Sequence, residues 1–205
     1  ALAPLSRSDI SRFESSAYST FTTSASNGHT LPSRGTARFL CQMLQTSNRE
    51  KMHDAAAALV PLADPALLEQ LAKLSPGEPA SVTGATGPIH RRILTPAGEI
   101  IVGGSGDNTY NLDDMTGVTA VIDLGGNDVY LEGAVSVQRP LLVILDLAGN
   151  DTYRGTKPGI QGGAILGVSM LLDAAGDDTY QAKDIAQGSA LGGAGILIDR
   201  AGNDT

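Results

Sequence analysis

The residues best placed to do chemistry lie in "LLDAAGDDTY", residues 171–180, where Asp173, Asp177 and Asp178 fall within ten residues behind an apolar run. The arrangement recurs. "VIDLGGNDVY" ends at Tyr130, "ILDLAGNDTY" at Tyr153, "LIDRAGNDT" at Thr205, and a fainter copy, "IVGGSGDNTY", at Tyr110. The glycine before the acidic pair is Gly106, Gly126, Gly149, Gly176 and Gly202, at intervals of 20, 23, 27 and 26 residues. The last two copies align without a gap over "IQGGAILGVSMLLDAAGDDT" and "AQGSALGGAGILIDRAGNDT", which also matches Gln161 with Gln187.

A unit of 20–27 residues is the mark of a solenoid. Each unit holds a short strand-like run and a glycine turn, and none has a stretch long enough for a helix. The pattern therefore predicts a parallel β-helix of about five coils, stacked roughly 4.8 Å apart. In register, Asp123, Asp146, Asp173 and Asp199 form one column, and Asp128, Asp151, Asp178 and Asp204 form a second. Like charges about 5 Å apart repel by about 1 kcal/mol in water and by several at a protein surface. Cations, basic partners or shifted protonation must offset this, and only Arg200 lies inside a motif. Calcium, which accepts six to eight oxygen ligands in flexible geometry, suits the problem. All eight aspartates are candidate ligands, with Asp151 and Asp178 the leading pair. The metal-free alternative is that D-x-x-G-N/D-D is simply good turn chemistry, with Asn127, Asn150 and Asn203 forming an amide ladder. In the first unit Gly103 replaces the first Asp and Asp107-Asn108 inverts the usual order, which weakens that unit as a site.

The turns "GGNDVY", "AGNDTY" and "AGDDTY" resemble half of the RTX nonapeptide, GGxGxDxUx, of secreted bacterial calcium-binding β-rolls. Gly126, Gly149, Gly176 and Gly202 match its later glycine, and Asp128, Asp151, Asp178 and Asp204 its ligand aspartate. Tyr130, Tyr153 and Tyr180 match its inward apolar position. The resemblance implies Ca²⁺ between successive coils. It covers about eight residues per unit, the family's first glycine is Asp here, and one motif occurs per coil instead of two. The larger unit also resembles long repeat proteins predicted from bacterial genomes.

The elements that must position these residues follow a change of composition. Residues 1–75 read as a helical domain capping the first coil. Ser8 or Asp9 would cap a segment bearing Ile10, Phe13 and Tyr18, and Phe39, Leu40, Met43 and Leu44 share a face. Ser47 or Asn48 would cap the next helix, and Asp64-Pro65 starts a helix bearing Leu67, Leu68 and Leu71. Residues 76–88 form a Pro/Gly/Ser-rich linker, and 89–205 the repeat domain. The fold class is thus α+β, mainly β. The inward set is expected to be the aliphatics of "VID", "ILD", "LLD" and "LID" with the repeat tyrosines.

The chain has 25 Gly, no Trp and only 8 Phe plus Tyr, so its core must use small and branched aliphatics. Net charge is −8: residues 1–98 carry nine Lys/Arg against seven Asp/Glu, and residues 99–205 five against fifteen. So acidic a repeat domain repels nucleic acid and anionic membranes and attracts cations. No run reaches the roughly 18 apolar residues of a membrane span. Cys41, the single cysteine, reads as a buried thiol beside Leu40 and Met43. The opening "ALAPLSRSD" fits a mature protein after signal-peptide removal, or a trimmed chain, and points to secretion or a bacterial cell surface, the periplasm included. The last copy stops at Thr205 without its Tyr, which predicts cover from further repeats of a longer parent, another chain or symmetric association.

Other constellations are weak. His29, His53 and His90 are scattered. "TGATGP" and "VGGSGD" lack the Lys-Ser/Thr of a phosphate loop. Thr109, Thr152, Thr179 and Thr205 form an outward row suited to ordering water but commonplace in strands. No catalytic or organic-cofactor residues stand out. The expected role is a structural, adhesive or binding module taking calcium, with polysaccharide or a protein chain on the C-terminal coil as partners. The alternative is a β-helix polysaccharide lyase or hydrolase, for which Arg139, Arg154, Lys157, Lys183, Asp184 and the basic His90–Arg92 are the dispersed candidates.

Overall fold

A computed structural model describes residues 6, 8–9, 11–13, 15–16, 33–75 and 77–205. Ile10, Tyr18 and His29 lie outside them. Three helices are described in full ahead of the strands: α1 (Arg34–Thr46), α2 (Arg49–Leu59) and α3 (Pro65–Leu71), with a 3-10 turn at Val60–Ala63 between the last two. Their starts are set by side chains that take up free backbone donors. Ser33 accepts from Thr36 N, Asn48 from Lys51 N, and Asp64 from Ala66 N with Pro65 at the first helical position. Residues 8–9, 11–13 and 15–16 are also helical, and it is Ser6, not Ser8 or Asp9, whose hydroxyl accepts the Asp9 N–H.

The rest is a β-solenoid. One sheet stacks the strands of the repeat tyrosines, β4 (Thr109–Asn111), β6 (Val129–Leu131), β8 (Thr152–Arg154) and β11 (Thr179–Gln181), in parallel, with β1 (Ala85–Thr86) antiparallel at its edge. The second stacks β3 (Gly98–Gly103), β5 (Val118–Asp123), β7 (Leu141–Asp146), β10 (Val168–Asp173) and β13 (Ala194–Asp199), with β2 (Ile89–Thr95) antiparallel beside β3. A small third sheet pairs β9 (Ala164–Ile165) with β12 (Ala190–Leu191). The five motif copies make about three turns, not five coils. The first copy is bounded by the antiparallel strands β1 and β2, and the last supplies β13 followed by turn residues 200–205, of which Thr205 bonds to Asp178 O and Tyr180 N.

Register follows the repeat residue for residue: Val121 pairs with Ile144, Ile144 with Leu171, and Leu171 with Leu197. Strand alternation then divides each "xxD" run between two environments. Val121, Ile144 and Leu171 enter the solenoid interior with Tyr110, Tyr130 and Tyr153. Ile122, Leu145 and Leu172 face the other way and pack under Leu59, Leu62, Leu68 and Leu71 of the helices. The expectation that the whole aliphatic run points inward is therefore corrected: half of it is core only because helices lie over it. The described helices line the flank of β7, β10 and β13, not the first coil, while Phe13, Leu40 and Met43 meet Ile165 and Leu166. Cys41 is exposed, one residue round the helix from Leu40, and is no core thiol.

The turns leave no room for a side chain at the repeat glycine. A Cβ on Gly149 would stand 1.6 Å from Gly126 O, and one on Gly176 1.6 Å from Gly149 O. Gly106, in the first unit, meets only the Pro88 ring, at 3.3 Å. Gly149→Ala is expected to destabilise the protein by on the order of 4 kcal/mol or more, and Gly106→Ala by less than about 1 kcal/mol. Chemical denaturation of the two variants checks the contrast; equal losses would show that the turns are not packed backbone to backbone.

A candidate cation site inside the solenoid

The sequence columns are real columns, but they are not on the surface. Asp123 pairs with Asp146, Asp146 with Asp173, and Asp173 with Asp199 in the parallel register. By alternation each sits two residues from an inward aliphatic, so its carboxylate enters the interior. Asp123, Asp146 and Asp173 are 0% exposed, and Asp128, Asp151 and Asp178 are 1% exposed. The sequence pattern did not reveal that the aspartates share the core with the tyrosines.

The first column is fully hydrogen-bonded. Tyr110, Tyr130 and Tyr153 each donate their hydroxyl to Oδ2 of the aspartate one coil on: Asp123, Asp146 at 2.6 Å and Asp173 at 2.7 Å. Tyr180 donates likewise to the more exposed Asp199, at 2.7 Å. The other oxygen of each buried member closes its own turn, taking the N–H of Gly125, Ala148 or Ala175 at 2.9–3.2 Å. The tyrosine rings stack with centroids 4.8–5.0 Å apart, which holds every hydroxyl at the same height in its coil.

The second column is only half satisfied. Oδ1 of Asp128, Asp151, Asp178 and Asp204 accepts the backbone N–H of Asn108, Asp128, Asp151 and Asp178 respectively, at 2.6–2.9 Å, so each carboxylate reaches back one coil. Oδ2 of Asp128, Asp151 and Asp178 is buried with no donor. The outer turn residues reach the opposite way. Asn150 N donates to Asn127 Oδ1, Asp177 N to Asn150 Oδ1, and Asn203 N to Asp177 Oδ1. The expected amide ladder is thus a side-chain-to-backbone ladder. The recurrent deficit in these turns is the inner Oδ2.

Burial governs the charge state of these groups. In the metal-free protein, desolvation first and then the charge of neighbouring carboxylates pushes the Asp128 and Asp173 carboxyls up to about 8, Asp146 to about 10 and Asp151 to about 6, and raises Asp178, while desolvation alone raises Asp123. Desolvation also raises the four tyrosines above their ordinary range. Among the described residues no lysine or arginine enters this interior; the two ion pairs, Arg92–Glu99 and Lys157–Asp113, lie outside it.

Oxygens of Asp123, Asp128 and Asp146 lie within 4.8 Å of one another, as do those of Asp146, Asp151 and Asp173 and those of Asp178, Asp199 and Asp204. Two oxygens bound to one Ca²⁺ at about 2.3–2.6 Å are at most about 5 Å apart, so each trio fits a single ion. All eight aspartates foreseen from the spacing belong to these groups. Asp151 and Asp178, the leading pair expected from sequence, fall in different trios, because a first-column residue, Asp146 or Asp199, completes each. The first unit forms no trio: its inner position is Asn108, whose Nδ2 donates to Thr86 O and Pro88 O, and a Cβ on Gly103 would strike Asp123 Oδ2. Sequence reasoning missed the tyrosines as carboxylate partners and Asn108 as the neutral end of the column. The one readable signal was their fixed position after each Asp.

The remaining candidates do not assemble. Arg139 and Lys157 both line a cavity of about 600 Å³, but the one carboxylate lining it among the described residues, Asp113, is held by Lys157 and the Gly133 N–H. Glycoside hydrolysis ordinarily uses two carboxylates. Arg154 lines a separate cavity with Glu132, and Lys183 and Asp184 lie in the loop after β11 and line neither cavity. Gln161 bridges the Tyr153 and Gln181 carbonyls at 3.0 Å each, a structural role. No helix among the described residues is long and apolar enough to cross a membrane. Comparison with protein-family models, with curated proteins and with solved structures finds no match to this chain.

The interior carboxylates give the metal-free protein a definite pH dependence. Unfolded, they titrate near 4; folded, all are raised, Asp151 to about 6, Asp128 and Asp173 to about 8 and Asp146 to about 10, so the folded chain holds protons that the unfolded chain releases. Stability is then fullest below about pH 4 and is lost as pH rises through those folded values. In chelator, the melting temperature is expected to fall by roughly 10 °C or more between pH 5 and pH 9, about 3 kcal/mol for a chain of this size. A flat or rising profile in chelator would show that the aspartates are not buried together.

Proposed function

We propose that the protein is a calcium-stabilised β-solenoid that serves as a structural, adhesive or binding module outside the cytoplasm, secreted or at a bacterial surface. The observation that carries this reading is the row of buried, donorless Oδ2 atoms of Asp128, Asp151 and Asp178, repeated coil after coil beside a second carboxylate. A buried anion without a partner costs several kcal/mol, and a chain that repeats the arrangement needs a repeated counter-charge. The ligands are all oxygen and two of the trios are enclosed, which favours Ca²⁺ over Mg²⁺, since Mg²⁺ keeps several of its waters. The RTX-like turn "GND-x-Y" and the acidity of residues 99–205 support the same ion and an extracellular setting, where calcium is abundant. The tyrosine hydroxyls would orient the carboxylates from behind, as second partners commonly do at metal sites. A role as a polysaccharide-active enzyme draws no comparable support from the dispersed basic residues.

Titration calorimetry of chelator-treated protein is expected to show uptake of calcium, and millimolar Ca²⁺ to raise the melting temperature at pH 8 by about 5–10 °C per occupied site at a hundredfold excess over Kd. Mg²⁺ should do far less. Asp151→Asn should lower calcium uptake while raising the melting temperature of the chelated protein, because it removes a buried charge. Identical melting with calcium and with chelator, together with an unaltered Asp151→Asn profile, would sink the proposal.

A further inference from the structure

Resting on that reading, we infer that the cations form a dry file inside the solenoid core, one divalent ion per coil, and that the sealed ions leave only when coils open. Six aspartates are buried, Asp123, Asp128, Asp146, Asp151, Asp173 and Asp178, and three divalent ions balance their charge without any basic side chain. Asp146 belongs to two of the trios, so it bridges consecutive ions and ties one coil's site to the next. The first two trios are equivalent under the coil repeat, and the third, of Asp178, Asp199 and Asp204, follows them along the same stack. The donorless Oδ2 atoms of Asp128 and Asp151 are inaccessible to water, and the adjoining backbone turn is closed by the Asn127–Asn150–Asp177 ladder outside it.

The trios are not alike. Asp123–Asp128–Asp146 and Asp146–Asp151–Asp173 are wholly buried, whereas in Asp178–Asp199–Asp204 only Asp178 is buried. Two ions are therefore sealed and one is open to solvent. A sealed ion exchanges through local opening of the strands around it, and such openings in a packed core are rare. An open ion exchanges directly. The core thus carries ions that are structural in the way a buried side chain is, alongside one that responds to the surrounding solution.

Terbium(III) tests this with a readout independent of any activity. The tyrosine hydroxyls donate to Asp123, Asp146, Asp173 and Asp199, which places four ring donors beside the ions for sensitised emission. The whole chain, refolded from denaturant with Tb³⁺, is excited in the tyrosine band, and emission lifetimes are compared in H₂O and D₂O. About two thirds of the signal is expected to show fewer than about one bound water, and the remaining third several. On addition of chelator, the dry fraction should leave more than about tenfold more slowly than the wet one. Asp204→Asn, at an exposed position, should remove the fast, wet fraction and leave the slow one. Emission from ions that all carry two or more waters and leave in one fast phase would overturn the sealed file while leaving a surface calcium module standing. Loss of the slow fraction in Asp204→Asn would likewise overturn the assignment of sealed and open sites. Absence of any tyrosine-sensitised emission, with no calcium uptake by calorimetry, would overturn both this inference and the functional reading.

Discussion

Two carboxylates per coil are sealed in a core that holds no basic side chain among its described residues, and the rest of the architecture answers to that constraint. A single buried carboxylate prefers to be neutral; a column of them at the coil spacing adds mutual repulsion, and both effects push Asp151 up to about 6, Asp128 to about 8 and Asp146 to about 10. Protons or cations must therefore be part of the folded structure. The neutral route leaves each coil with a shared proton and a stability that declines above acid pH. The cation route keeps the carboxylates ionised and turns the same columns into ligands.

The geometry around the columns is organised to hold the carboxylates still. The tyrosine stack fixes one oxygen of the first column from the opposite sheet, and the turn N–H fixes the other. The second column is held by one oxygen alone, from the backbone of the previous coil. That asymmetry leaves Oδ2 of Asp128, Asp151 and Asp178 as a free acceptor, placed alike in these three units. The glycines make the spacing possible, because any Cβ at Gly149 or Gly176 would enter the carbonyl oxygen of the coil before it. The helices contribute differently: they cover the outward half of the β7–β10–β13 sheet, where Leu145 and Leu172 would otherwise face water.

Much of this was legible in the sequence. The repeat intervals became the inter-coil hydrogen-bond separations, and Asp173 does lie between Asp146 and Asp199. The caps at Asn48 and Asp64 are where their side-chain chemistry put them. Three things were hidden. Motif copies are not complete coils, since the flanking partners of the first copy are antiparallel strands with no repeat signature of their own. An apolar run such as "LLD" does not declare which of its faces is interior when both faces are covered, so Leu171 and Leu172 look alike on paper. And Asp beside Gly and Asn reads as surface turn chemistry; only the parity of the strand, with Asp173 two residues from Leu171, turns it inward.

The most direct measurement is anomalous diffraction from crystals grown in calcium, with a second data set measured after soaking in a lanthanide. Peaks are expected inside the solenoid, one at each aspartate trio, succeeding one another along the stack and flanked by the tyrosine hydroxyls. A map with no interior peak, in which paired Asp oxygens approach closely enough to share a proton, would contradict the cation-filled core.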